Sequence, residues 1–572
     1  MLDESADGAT LPAGLTAAQR EAVTAPDPLL CVLAGAGAGK TRVLTLRVAW
    51  RVHEGRVDPD RVLVCTFSRK AAEELGRRLW ALQVGDGVRA GTFHRTALSL
   101  LRQHRADRGL APPSLLADRR GLLTTVLAEP QREVGDRRVA RHVLVAQLDT
   151  EIGWAKAQLV RPGTYAARAR AARRHTVLPA EQIADLFERY EAARRHRRCL
   201  DFDDLLSGCA DLLHDDARFA DAVRWRFRHL FVDEMQDVNP AQFRLLAALL
   251  GDEPDLMVVG DPNQSVYGWN GADPSLLADL PALLPGMRVV RLDENHRCTP
   301  QIVAVASAAL GVEGQAEGGG RTARPTSSRP DGAVPIVTAH DDDDAEAEWV
   351  AHQAWLARGP GRRWSDIAVL ARTNAQLGAV TEAFARARIP VRRAGPELGP
   401  NSDVHRPTVG WSGEPTAPDV EGLGTAAPRR SWASQLLDEA DEDAVVLATF
   451  HRAKGLQWPT VFVIGLSVGL VPIASARDER ALAEERRLLY VALTRAEEQL
   501  VCTWAGRSGA GSSARKPSPW LDPIERAAER LRRQTRPLGP RDAAARLGAL
   551  RALLEPSAGA DEAAAATDET LR

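Results

Sequence analysis

The run LLCVLAGAGAGKTRVLTL, residues 29–46, constrains the fold more than any other stretch of the chain. Its apolar hexamer reads as a parallel strand buried on both faces. A glycine-rich turn follows, and then a helical pattern. Ala34 stands where the usual phosphate-loop pattern has its first glycine, and Gly35, Ala36, Gly37, Ala38 and Gly39 come next. The backbone N–H groups of such a loop, with the helix N-terminus, cradle β- and γ-phosphates. Lys40 neutralises them, and the Thr41 hydroxyl is a ligand for Mg²⁺. A second strand, RVLVCTF (61–67), leads into the helix AAEELGRRLWAL, so the rhythm is that of a parallel α/β sheet.

At 572 residues the chain exceeds what one core supports, so several domains are expected. The first lobe is expected at residues 1–97 and 199–286. It is split by a helical insertion at 98–198, where strand signals vanish. The Arg-dense second half of that insertion has two readings, a solvated helix face or a phosphate-contacting surface. A second α/β lobe is expected at 287–394 and 444–507. A Pro/Gly-rich, aperiodic segment at 395–443 divides it, and an Ala/Arg-rich tail at 508–572 follows. The fold class is therefore α/β, with two RecA-like P-loop lobes and an insertion in each.

The formal net charge of −2 excludes a wholly basic nucleic-acid coat, so any DNA track must be local. Most basic residues are Arg. Lysines inside motifs, such as Lys40 and Lys454, therefore carry more information. The six cysteines form no CxxC pair, which argues against zinc, iron–sulfur and disulfide frameworks. The acidic, polar N-terminus is not a secretory signal, and no apolar run is long enough to span a bilayer. A cytoplasmic location is expected.

Three further runs carry chemistry. In VDEMQD (232–237) a strand ends in two acids. Asp233 is expected to hold Mg²⁺, and Glu234 to deprotonate the attacking water. In GDPNQSVYGWNGA, Gln264 is an uncharged hydrogen-bonder placed to touch a γ-phosphate. Tyr267 and Trp269 follow in a polar loop, where they either pack in the core or stack on bases. Phe67, at the end of the second strand, is a candidate third platform. Arg297 in ENHR and Arg495 in ALTRAEE are candidate clamps for the charge of a leaving γ-phosphoryl group.

The motifs LTAAQREAV, AGAGAGKT, TFSRKAAEEL, GTFHRTA, DFDDLL, VDEMQDVNPAQ, GDPNQSVYGWNGAD, LDENHR, VLARTNAQ, TFHRAKGLQW and EERRLLYVALTRA follow one another in that order. In this the chain resembles the UvrD/Rep/PcrA-like superfamily 1A DNA helicases from about residue 15 to about residue 521. The resemblance implies an ATP-dependent 3′→5′ translocase and helicase acting on single-stranded DNA and on single/double-strand junctions, in repair or replication. It implies ATP and Mg²⁺ as cofactors. Gln19 would read the adenine edge, Arg42 would pack near the nucleotide, and Gln264 would couple the two sites. Arg297 and Arg495 would be the γ-phosphate arginines. His296 stands where an adenine-stacking Tyr is usual. DNA contacts carried over are Phe67, Thr92, His94, Tyr267, Trp269 and His451.

The largest departure follows Arg392, where the family has a large helical 2B subdomain. The short segment here implies a minimal motor with a much reduced 2B. An RNA-directed motor of the same fold, and a degenerate motor kept as a scaffold, are the competing readings. The complete set of catalytic residues weighs against the second. No N/T-K-x-D base-reading motif supports a GTPase.

Overall fold

The computed structural model describes residues 2–3, 11–116, 118–127, 140–311, 325–359, 361–394, 443–509 and 514–535. Two six-stranded parallel sheets dominate it. The first contains β1 (Leu29–Ala34), β2 (Val62–Thr66), β3 (Arg89–Thr92), β4 (His229–Val232), β5 (Leu256–Gly260) and β6 (Arg288–Leu292), in the order β3-β2-β4-β5-β1-β6. The second contains β7 (Ile336–His340), β8 (Ile367–Ala371), β9 (Val391–Arg393), β10 (Val445–Thr449), β11 (Trp458–Val463) and β12 (Ala496–Ala505), in the order β7-β12-β11-β8-β10-β9. The central strands are apolar throughout because helices cover both faces. The apolar run of β1 thus forms the strand that its sequence predicts.

Two expected boundaries differ from the structure. Residues 287–292 were expected to open the second lobe, but β6 pairs with β1 in the first sheet, Cys31 opposite Val289. Val290 and Leu292 bury into the core beneath that sheet, which fixes the strand there. The boundary at 97/98 cuts the helix Phe93–Ala106, whose Phe93, Ala97 and Leu100 share one buried face of the first lobe's core. Residues 395–442 of the segment expected in place of 2B, and residues 536–572 of the tail, lie outside the described residues.

Helices Arg119–Val126, Arg141–Ala157, Pro162–Ala171 and Ala180–His196 pack around a core of their own. Beneath it lies a buried charge cluster. Lys156 Nζ is 2.7 Å from Glu191, 2.7 Å from Asp201 and 2.8 Å from Asp204. Arg119 reaches Asp201 at 3.0 Å, and the Tyr190 hydroxyl donates to the same carboxylate at 2.7 Å. These three carboxylates have the spacing of a cation site, and the Lys156 ammonium is the cation. In the Arg-dense run, Arg174 pairs with Glu151 and Arg194 with Glu191 and Asp204, so neither is a free surface charge.

The lobes meet along one seam. Ala36 and Val266 of the first lobe share a hydrophobic core with Cys298, Phe450 and Tyr490.

Candidate nucleotide cleft and aromatic track

The phosphate loop needs glycine at two positions for different reasons. Gly39, the cap of helix Lys40–His53, has φ +83°, in the left-handed region. Gly37 has φ +70° and also lies against the crossing segment; a Cβ there would sit 2.6 Å from Asn295 Oδ1 and 2.8 Å from Arg297 Cβ. The His296 N–H donates to Gly37 O at 3.0 Å, and the Ala36 N–H to the Tyr490 hydroxyl. The loop is therefore gripped by residues from beyond the first sheet.

Lys40 Nζ donates to Ala34 O and Gly35 O, both at 3.2 Å, and lies 3.7 Å from Asp261. Thr41 Oγ1 donates to Asp233 Oδ2 at 3.2 Å. Arg42, the next residue, is exposed. Glu234 follows β4 with φ +55°, a left-handed conformation that is strained for a non-glycine residue. Gln236 donates to its carboxylate. Burial, with Glu234 beside it, pushes the Asp233 carboxyl up to about 7. Burial also pushes Glu234 up, but Lys454 and Lys40 more than offset this and hold it below its ordinary value.

Gln264 is buried, and its amide donates to Asp261 Oδ2 at 2.7 Å. Arg297 Nη1 donates to Thr494 O at 3.4 Å, while its buried Nε has no partner. Arg495 is wholly buried and donates to Val491 O and Leu456 O. Burial, reinforced by Arg297, pushes its guanidinium down to about 9. The sequence-predicted phosphate-side residues are thus gathered at one cleft. Beside it lies a cavity of about 300 Å³ lined by Gln19, Ala38, Leu292 and His296, the first and last of which were expected at the adenine. Gln19 Nε2 donates to Ala38 O at 3.0 Å and lies 3.2 Å from His296 Nε2, and His296 Nδ1 is 2.6 Å from Ser328 Oγ.

The residues singled out for DNA divide into two groups. Phe67 stacks on Tyr267 with centroids 5.2 Å apart, and His451 lies 6.3 Å from Tyr267 and 6.4 Å from Trp269. His94 stands apart. It stacks on Phe202 at 4.1 Å, and burial pushes its imidazole down to about 4. Thr92 caps the helix Phe93–Ala106, accepting from Arg95 N at 3.2 Å. Sequence reasoning missed Phe202, which is 42% exposed; an aromatic among the acids of DFDDLL was the available signal.

It also missed the bond across the seam. Lys454 pairs with Asp237 and donates to Gln264 O at 2.7 Å, with Nζ 5.0 Å from the Tyr267 ring centroid. The two side chains are 7% and 2% exposed. Burial pushes Asp237 up to about 7 despite Lys454.

Two parallel sheets joined at a phosphate loop, with acids on one side of it and arginines on the other, define a two-lobed P-loop nucleotide-binding protein. The UvrD/REP helicase N-terminal domain matches residues 15–283, and the UvrD-like helicase C-terminal domain matches residues 290–397 and 431–507. The chain belongs to the UvrD-like helicase family. It is 37% identical over 585 residues to ATP-dependent DNA helicase UvrD2 of Mycobacterium tuberculosis, covering 90% of this chain and 82% of the relative. It is 27% identical to DNA helicase II of Escherichia coli, covering 85% and 84%, and 26% identical to ATP-dependent DNA helicase PcrA of Staphylococcus aureus, covering 85% and 82%. No helix among the described residues is long and apolar enough to cross a membrane.

Proposed function

We propose that this chain is an ATP-driven motor that moves 3′→5′ along single-stranded DNA and separates strands at junctions, in repair or replication. The observation that carries the reading is the seam itself. Lys40, Asp233 and Glu234 from one lobe face Arg297, Tyr490 and Arg495 around a single loop.

The residues present fit both ATP and its metal. Arg297 Nε is a buried donor with no acceptor, as expected of a group aimed at a phosphate oxygen. Thr41 and Asp233 offer adjacent hard oxygen donors. They would hold Mg²⁺, which when bound neutralises developing charge on the β- and γ-phosphates. Lys40 and the loop 35–39 bind the phosphates. Gln19, Arg42 and His296 border the nucleotide, with Gln19 and His296 at its base. Glu234, kept ionised by Lys454 and Lys40, takes the proton of the attacking water. Gln264, Arg297 and Arg495 stabilise the transferring group, and the arginines act fully only when the lobes are closed.

Phe67, Tyr267, Trp269 and His451 form the base-stacking track, and Thr92 and His94 contact DNA apart from it. The short stretch after Arg392 is read as a reduced 2B, so the monomer translocates but unwinds poorly. Efficient strand separation by monomer in a single turnover would refute that part.

The deciding experiment is steady-state ATP hydrolysis with and without single-stranded DNA, with Lys40→Ala as control. Strong DNA stimulation that is absent in the variant is expected. Turnover indifferent to DNA would overturn the motor reading, and equal stimulation by single-stranded RNA would overturn the DNA assignment.

A further inference from the structure

The loop 265–271 connects Gln264, at the nucleotide, to Tyr267 and Trp269, in the aromatic cluster, and it is held from two sides. From the helical unit, Gln158 Nε2 donates to Gly271 O at 2.8 Å and Arg174 Nη1 to Trp269 O at 3.5 Å. From the second lobe, helix Glu479–Leu493 presents two side chains one turn apart. Arg487 Nε donates to Ser265 O at 2.9 Å. Glu484 accepts from the Gly268 N–H at 3.0 Å and from the Trp269 N–H.

Those two N–H groups open the 3₁₀ turn Gly268–Asn270, and the first donors of any helical turn have no acceptor within it. Caps are ordinarily supplied by the residue just before the turn. Here the cap comes from more than two hundred residues away, on another lobe.

Gly268 supplies the second observation. Its φ lies outside the left-handed region, so its backbone does not demand glycine. A Cβ there would collide with the Glu484 carboxylate. The nearest atoms such a Cβ would meet all belong to Glu484, so a side chain at 268 would displace that carboxylate from the turn.

We propose that Glu484 is a positioning residue that caps the Trp269 turn from the second lobe, so that closure of the cleft on nucleotide sets the grip of Trp269 on DNA. This rests on the reading that Trp269 stacks on bases. Glu484 touches neither ATP nor DNA; it acts through the turn.

The test is ATP turnover of the full chain titrated with oligothymidylate, alongside thermal unfolding. Glu484→Ala should raise the half-saturating DNA concentration about tenfold, comparable to the loss of one stacked base. Its DNA-free turnover and its KM for ATP should stay as in wild type. Glutamine keeps the side-chain length and an acceptor oxygen for the turn, so Glu484→Gln should stay within about twofold of wild type. Gly268→Ala should reproduce Glu484→Ala, and in the Glu484→Ala background it should add nothing, because the collision is gone.

Wild-type DNA dependence in Glu484→Ala, parallel loss of DNA-free turnover, or additive effects of the two alanines would each overturn the proposal. If Glu484→Ala does not fold, the contrast between Gly268→Ala and Glu484→Gln decides in the same way. Trp269→Ala separates the premise from the proposal. Unchanged DNA affinity in that variant removes the stacking reading. Weakened affinity there, with Glu484→Ala behaving as wild type, removes only the role of Glu484.

Discussion

Two buried charge clusters in this molecule use the same residue types to opposite ends. In the helical unit, Asp201 would be raised by burial, but Arg119 and Lys156 hold it far below the usual carboxylate range. Attraction exceeds desolvation at Asp201, while burial and Asp201 push its neighbour Asp204 up. At the cleft, burial wins over partners at Asp233, Asp237 and Arg495, while Glu234 is held below its ordinary value. Asp233 and Asp237 are pushed up to about 7, Arg495 down to about 9, and Arg297 keeps a donor without an acceptor. In the first cluster the carboxylates are shared among cations of the fold itself. The second holds groups displaced from their ordinary protonation, as expected where a charged ligand completes the set.

Four tests bear on that contrast. The largest effect is expected from Glu234→Gln, which should lower ATP turnover by about 10²–10⁴-fold while nucleotide binding and the unfolding temperature hold. Near-normal turnover would remove Glu234 as base. Lys156→Met should do the reverse, leaving three carboxylates without their central cation. A loss of about 3–5 kcal/mol in denaturant unfolding is expected, with the folded fraction still hydrolysing ATP.

The third test concerns pH. An acid whose folded pKa is raised binds more protons folded than unfolded, so its contribution to stability falls as pH rises from about 4 to about 7. Asp237 should therefore destabilise the protein on the alkaline side. Asp237→Asn should gain about 2 °C against wild type between pH 5 and pH 8, in protein without nucleotide or metal. For Asp201 the sign is opposite, because its folded pKa is depressed. Its contribution is present above about pH 4 and is lost on acidification below that. An identical pH trend in Asp201→Asn and Asp237→Asn would erase the distinction. The smallest effect is expected from an exposed pair. Arg386→Ala, which breaks the 3.2 Å contact with Glu348, should move the midpoint by less than about 1 °C.

What could be read from the chain was what is local in it. The phosphate loop is a strand, a turn and a helix in eighteen consecutive residues, so its chemistry and geometry are written together. Glu234 could be named as a base because it follows an apolar strand. Its left-handed backbone could not, since nothing in VDEMQD specifies φ. The strand in RVVRL was recognisable, but which sheet it joins depends on β1, more than 250 residues earlier. Lys454 stood out as a rare lysine in a motif, while its partner Asp237 lies 217 residues away and became visible only in three dimensions. His94 was grouped with the other aromatics by motif, yet it stacks on Phe202 instead of joining their cluster.

The chain leaves the first sheet through β6, the strand beside the phosphate-loop strand, and crosses to the second lobe along Asn295, His296 and Arg297. The covalent crossing between the lobes therefore lies against Gly37, in the phosphate loop itself. Rotation about a point displaces near objects little and distant ones in proportion to their radius. On the proposed motor reading, a small adjustment at the phosphate loop would be felt as a different displacement where His451 meets Trp269. The position of this one crossing gives the molecule its gearing.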